Sequence, residues 1–285
     1  MATVDAHRDV PADEPDSFFG FVVGLYVAAL LAPVATVGVA VTATTEAGVL
    51  FFTFLGVGTA GVAVGWRAAG REAVAVRLGS TRWAWLAPVA GLAYGGGVLA
   101  ATGVEGPASG IAVGLALLGA VGGLVGGTGL VLAAHNRHAK AVLAGSERRV
   151  RFSTTGPERD RRLAKWAVGA LMLGGTVGFA ASIVAGFESL RWLFHLMIAG
   201  GAGLSGAVAE RTYVVADAGV RVGTPVHKRV RPWSRFESYS LTDDELRVRR
   251  AGWSPWGLRD LRLDPEEIDD VAAVRAVLDA HLPRR

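Results

Sequence analysis

The sequence contains no cysteine and only three lysines among its 285 residues. Without cysteine there is no disulfide framework of the kind that staples small secreted domains. A metal would have to be held by histidine and carboxylate alone. Charge is scarce too: Asp, Glu, Lys and Arg make up 19% of the chain, against 51% apolar residues. Blocks of 18 to 25 residues carry no charge at all. That excludes a soluble globular enzyme, a disordered tail and a collagen-like repeat. What is plentiful is glycine, with 35 of 39 residues lying before position 210.

A bilayer core of about 30 Å needs roughly 20 apolar residues at 1.5 Å each. Six charge-free stretches qualify: 18–41, 48–66, 83–102, 110–134, 166–186 and 192–209. They predict an all-α transmembrane bundle, since a lipid-exposed backbone must satisfy its amides within each segment. Residues 1–17 carry five acids and one arginine, so the first stretch reads as an uncleaved signal anchor. The connections 42–47, 103–109 and 187–191 hold one basic residue between them, Arg191. Connection 67–82 holds four arginines and 135–165 holds nine Lys or Arg. This alternation predicts a multi-pass protein of the cell membrane with both termini cytoplasmic. Trp66, Trp83, Trp166 and Trp192 stand at the stretch ends, where interfacial rings belong.

Glycine pairs four apart, such as Gly61/Gly65, Gly91/Gly95, Gly119/Gly123, Gly122/Gly126 and Gly174/Gly178, make flat helix faces. In lipid, where no hydrophobic effect draws helices together, such faces pack bundles and offer a route to homo-oligomers. The fourth stretch is the richest and is expected at the centre, while Pro88 and Gly95–Gly97 mark the third as the one to bend. In the loop 135–165, Arg148, Arg149, Arg151, Arg159, Arg161, Arg162 and Lys165 cluster beside the fifth stretch. They either attract anionic headgroups, at about 1 kcal/mol each near the surface, or simply fix orientation. After Gly156-Pro157, residues 158–165 read as a helix running into that stretch.

Residues 210–285 differ: four glycines, 14 basic and 13 acidic residues, and period-two alternation. Runs at 211–216, 220–223, 235–240, 246–250 and 258–263 read as strands. A helix is expected from Asp264 as N-cap, with Pro265 first, Glu267 closing a capping box, and a stripe of Ile268, Val271, Val274, Leu278 and Leu282. On Tyr213-Val214-Val215, Gly219-Val220-Arg221-Val222, Pro232-Trp233-Ser234-Arg235-Phe236, Leu246-Arg247-Val248-Arg249-Arg250 and the final helix, this quarter resembles the prokaryotic pleckstrin-homology-like (PH-like) domains fused to membrane spans. The resemblance implies a seven-stranded fold with a capping helix, and a lipid-surface or protein-binding platform rather than a catalyst.

Within it, Arg249, Arg250, Trp253 and Trp256 pair delocalised cations with amphipathic rings in one probable hairpin loop. The alternative is that the tryptophans fold back into a small core.

Catalytic chemistry is sparse. His135 and His138 share a helix face but lack a third metal ligand. Gly203-Leu204-Ser205-Gly206 matches the G-x-S-G string of rhomboid-type intramembrane proteases. His195, ten residues earlier on the same helix, lies about 15 Å away and cannot take the serine proton. Thr176–Ala180 resembles a potassium filter but sits inside a full span. His195 is expected to bond a helix carbonyl. No phosphate loop or dinucleotide fingerprint occurs. Arginine outnumbers lysine 26 to 3, which fits a GC-rich prokaryotic genome; the aspartate-rich N-terminus suits a halophilic archaeon.

The expectation is therefore a non-enzymatic polytopic membrane protein without cofactor or metal. Its cytoplasmic module would meet membrane lipids or a protein partner, and not nucleic acid. The alternative is a transporter or channel for a small neutral solute past Tyr94, Thr128 and Ser205; an intramembrane hydrolase ranks last.

Overall fold

In the computed structural model, the described residues are 16–102, 109–146, 149–154, 157–208, 210–224, 226–253 and 260–285. They divide into two compact units. One holds the chain up to Gly145 together with Val226–Arg229; the other holds Ser146–Pro225 and Val230–Arg285. The expected division into bundle and tail at residue 209/210 thus differs from the division the contacts make.

The first unit is helical. Helix α1 (Ser17–Thr42) starts at Asp16, whose Oδ1 accepts the Phe19 N–H at 3.0 Å. Helix α2 (Ala47–Ala69) packs along α1. A short helix the sequence reading had left as connection, α3 (Glu72–Ser80), follows. A 3-10 turn at Trp83–Trp85 then leads into α4 (Leu86–Thr102). Pro88 falls in the first turn of α4, where its missing N–H costs no helical bond.

Helix α5 (Ser109–Ala144) carries the expected charge-free stretch 110–134 and runs ten residues beyond it. The reason is packing: Ala139 and Leu143 continue the buried face of Ala134 and His135, and α3 lies against it. α5 also packs on α1 and α4, which places it centrally in this unit as expected. Glycine makes the close approaches possible. A Cβ on Gly65 would stand 2.7 Å from the Gly24 Cα, and one on Gly123 would stand 2.7 Å from the Gly91 Cα.

The second unit opens with a strand the sequence reading missed, β1 (Arg149–Thr154). It pairs antiparallel with β2 (Arg211–Ala216), although α6 (Glu158–Val184) and α7 (Arg191–Val208) intervene. These two helices pack on each other; Gly178 receives the Phe194 ring and Gly174 the Met197 side chain. β3 (Gly219–Gly223) pairs with β2 across a turn where Gly219 has φ +135°. β4 (Lys228–Arg231), also unforeseen, completes a sheet of order β1-β2-β3-β4. The second sheet is β5 (Phe236–Leu241), β6 (Leu246–Arg250) and β7 (Leu261–Leu263), all antiparallel. The described residues therefore form seven strands where the sequence reading placed five.

The final helix begins later than expected. Asp264 and Pro265 start only a 3-10 turn, and α8 (Val271–Asp279) is capped by Asp270, which accepts from the Ala273 N–H at 2.8 Å. Glu267 closes no capping box. Its carboxylate instead takes the Thr154 hydroxyl at 2.6 Å and the Arg161 guanidinium at 3.4 Å. The expected stripe nonetheless reaches the core: Ile268, Val274, Leu278 and Leu282 join Phe152, Tyr213, Val220, Tyr239, Leu246 and Leu263 in one apolar cluster.

Among the described residues, four helices are long and apolar enough to cross a membrane: α1, α2, α5 and the Asp160–Val184 part of α6. Trp66, Trp83, Trp166 and Trp192 are all exposed.

Candidate functional site

The loop after β6 is held at its base by one carboxylate. Asp260, with its side chain only 5% exposed, accepts from the Arg247 guanidinium at 2.9 and 2.7 Å and from the Arg250 N–H at 3.1 Å. A bidentate guanidinium and a backbone donor on one buried carboxylate fix where the loop leaves the sheet and where it returns. Beyond this clamp, Gly252 takes φ +88°, a left-handed conformation that glycine adopts at no steric cost. Trp253 follows, 83% exposed. Of the two readings of that ring, the exposed one matches the structure. Arg249 is exposed and Arg250 half-buried; Trp256 lies outside the described residues.

The basic cluster is not one uniform patch. Arg161 pairs with Glu267 at 3.4 Å, and Arg162 pairs with Glu158 one helical turn away at 2.7 Å. Arg262 stands 3.7 Å from Asp160. Arg151 on β1 and Lys165 on α6 are exposed. Arg148 and the side chains of Arg149 and Arg159 lie outside the described residues. Exposed pairs of this kind contribute little stability. They do draw two cations of the cluster, Arg161 and Arg162, onto the carboxylates of Glu267 and Glu158.

The polar groups on the helices are largely spent on their own backbones. His195 Nδ1 lies 2.8 Å from the Arg191 carbonyl and its ring stands edge-on to Phe179. The Ser205 hydroxyl donates to the Ala202 carbonyl at 2.6 Å, and that of Thr128 to Leu124 at 2.7 Å. Each of these two hydroxyl protons is engaged within its own helix. The Tyr94 ring lies over Gly119. An open, apolar cavity of about 630 Å³ is lined by α1, α2 and α5 residues including Leu50, Phe51, Phe54, Ile111 and Leu118; the Thr36 hydroxyl on its wall donates to Ala32 at 2.7 Å.

At the end of α5 that follows the apolar stretch, sequence reasoning missed an arrangement. Asn136 grips the segment Val226–Lys228 at both ends of its amide. Its Nδ2 donates to the Val226 carbonyl at 2.8 Å, and its Oδ1 accepts the Lys228 N–H at 2.6 Å. The clamp brings the His227 Nε2 to 3.3 Å from the Nδ1 of His135, which is 4% exposed, with Trp85 packed on the His135 ring. Nothing in the sequence signals a contact between residues ninety apart. No group of three or more His, Asp or Glu side chains among the described residues is arranged to hold a metal ion.

No family model, curated protein or solved structure matches this chain.

Proposed function

We propose that this chain is a polytopic membrane protein without catalytic activity whose β-rich module meets the inner leaflet through the loop after β6. In this reading the chain crosses six times. To the four long apolar helices are added α7, at 18 residues about 27 Å long, and α4, which with its preceding 3-10 turn reaches about 30 Å. The arginine-bearing connections and both termini face the cytoplasm, as the distribution of basic residues favours. Seven strands in two antiparallel sheets, closed by one helix, suit the PH-like architecture that the sequence resembles.

The observation that carries the reading is Trp253. A tryptophan 83% exposed, following a left-handed glycine beside Arg249 on a clamped base, suits the headgroup region. There the ring's apolar body and its N–H are both accommodated, and the guanidinium meets phosphate.

The cysteine-free sequence makes a clean test possible. The full chain carrying Trp253→Cys is labelled with an environment-sensitive fluorophore and reconstituted into vesicles of neutral lipid, with or without 30% anionic lipid. Docking predicts blue-shifted emission that lipid-borne quenchers reach, more so with anionic lipid, and weakened by Arg249→Glu. Emission typical of water in both compositions removes the reading. Adding the label from outside intact cells tests orientation, since a cytoplasmic loop stays unlabelled until the membrane is opened.

A further inference from the structure

The segment Val226–Arg229, which runs from the end of the β3–β4 connection into the first two residues of β4, belongs to the first unit rather than to the unit that holds β3. Its seat on α5 is built from few parts. The Asn136 amide makes two backbone hydrogen bonds to it, and one imidazole–imidazole contact joins His227 to His135. A ring-nitrogen pair at 3.3 Å is a hydrogen bond only when one nitrogen carries a proton and the other does not. Two neutral rings satisfy this, as does one neutral ring beside one imidazolium; two imidazolium rings present proton to proton.

The surroundings favour the neutral pair. The charged and titratable groups acting on it are Arg229 on the segment itself and His138 one turn along α5, both cationic or able to become so. Trp85, from the turn before α4, covers the His135 ring with apolar surface. Burial first, and Arg229 second, hold His227 below the ordinary histidine value of 6.5.

We infer that the His135–His227 contact is a pH-sensitive latch: neutral rings seat the segment Val226–Arg229 on α5, and protonation in mildly acidic conditions releases it. The sign follows from linkage. The seated state takes up a proton less readily than the released state, so acid favours release. Seating is complete above pH 6.5 and weakens below it, by up to about tenfold per pH unit for each histidine whose seated value has not yet been reached. Asn136 supplies the position, which does not titrate; the histidines supply the dependence on pH.

Hydrogen exchange of the full chain in lipid nanodiscs reads the latch directly, through the Lys228 N–H that Asn136 holds. After correction for the intrinsic pH dependence of exchange, protection of the peptide spanning 226–230 should be flat from pH 8 to 7 and fall tenfold or more between pH 6.5 and 5. Peptides from α1 and α2 should keep theirs. Asn136→Ala should lower protection at every pH while leaving the shape of the profile. His227→Asn, which cannot charge, should reduce the fall to the share that His135 contributes, and replacing both histidines should abolish it. Protection that stays flat to pH 5 in the unaltered chain overturns the inference. So does a fall that persists undiminished when both His135 and His227 are replaced by Asn.

Discussion

The helices and the sheets solve cohesion in opposite ways. Helices of both units come together by leaving side chains out: Gly24 meets Gly65, Gly91 meets Gly123, Gly79 meets the Ala134 backbone, and Gly178 meets the Phe194 ring. The sheets do so by filling space, with Phe152 stacked on Tyr213 at 5.5 Å and aliphatic residues of both sheets and α8 around Tyr239. The difference follows from the solvent each is suited to. In hydrocarbon, burying a leucine gains little, and close backbone contact is what remains to hold helices. In water, each buried apolar side chain contributes roughly 1.5–3 kcal/mol.

That contrast is breakable by substitution. The largest effect is expected at the glycine contacts: Gly65→Leu or Gly123→Leu forces a side chain into the neighbouring backbone, which cannot yield. Loss of the folded unit should follow, seen as aggregation on size exclusion in mild detergent. In the core around the sheets the opposite change should hurt most. Leu278→Ala, at a site 1% exposed, should cost about 2–5 kcal/mol by denaturant titration. Arg247→Ala strands the Asp260 carboxylate and should cost about 3 kcal/mol, while Arg247→Lys recovers only part because the fork is lost.

A smaller effect is expected at Asp16. The Arg137 guanidinium, first, holds its carboxyl below the ordinary carboxylate range against the opposing effect of burial. Its contribution is therefore present above the ordinary value of 3.8 and lost as pH falls through the lowered one. Asp16→Asn keeps a capping acceptor and should cost about 1 kcal/mol at neutral pH, with the difference from the unaltered chain vanishing in strong acid. Smallest of all should be Gly97→Ala. Nothing lies within 4 Å of that position, so the alanine should be neutral or stabilise the helix by up to about 1 kcal/mol. A damaging Gly97→Ala would show that an unoccupied face of α4 is a contact after all.

Much of this was legible in the sequence. Charge-free length located α1, α2, α4 and α7 within a few residues, because helix length in an apolar block has a single physical cause; it fell ten residues short on α5 and passed over α3, whose charged residues break no helix. Four-residue glycine spacing foresaw the contacts it makes, and β2, β3 and β6 were read almost to the residue from alternation. β1 was missed although Arg149-Val150-Arg151-Phe152 alternates plainly. Its arginines were read as a basic cluster, and the partner strand lies beyond two helices. β4, with Val230 its only apolar residue, carries no alternation to read. For the last helix, the local signal at Asp264-Pro265 is real but starts only a 3-10 turn, and the longer helix begins at the Asp270 cap that the reading did not single out. The exposure of Trp253 and the pairing of His135 with His227 depend on tertiary placement, which no local pattern encodes.

The pairing of β1 with β2 has a consequence for how the chain is made. The two strands bracket α6 and α7, so the ribosome must deliver 56 residues between Thr154 and Arg211 before the first ladder can close. At synthesis rates of about 5–20 residues per second, β1 waits some seconds as an unmatched edge. The apolar face of Val150 and Phe152 is bare for that interval. Synthesis of the helical pair thus comes before completion of the sheet, and the sheet in turn ties off the base of the pair once synthesis is done.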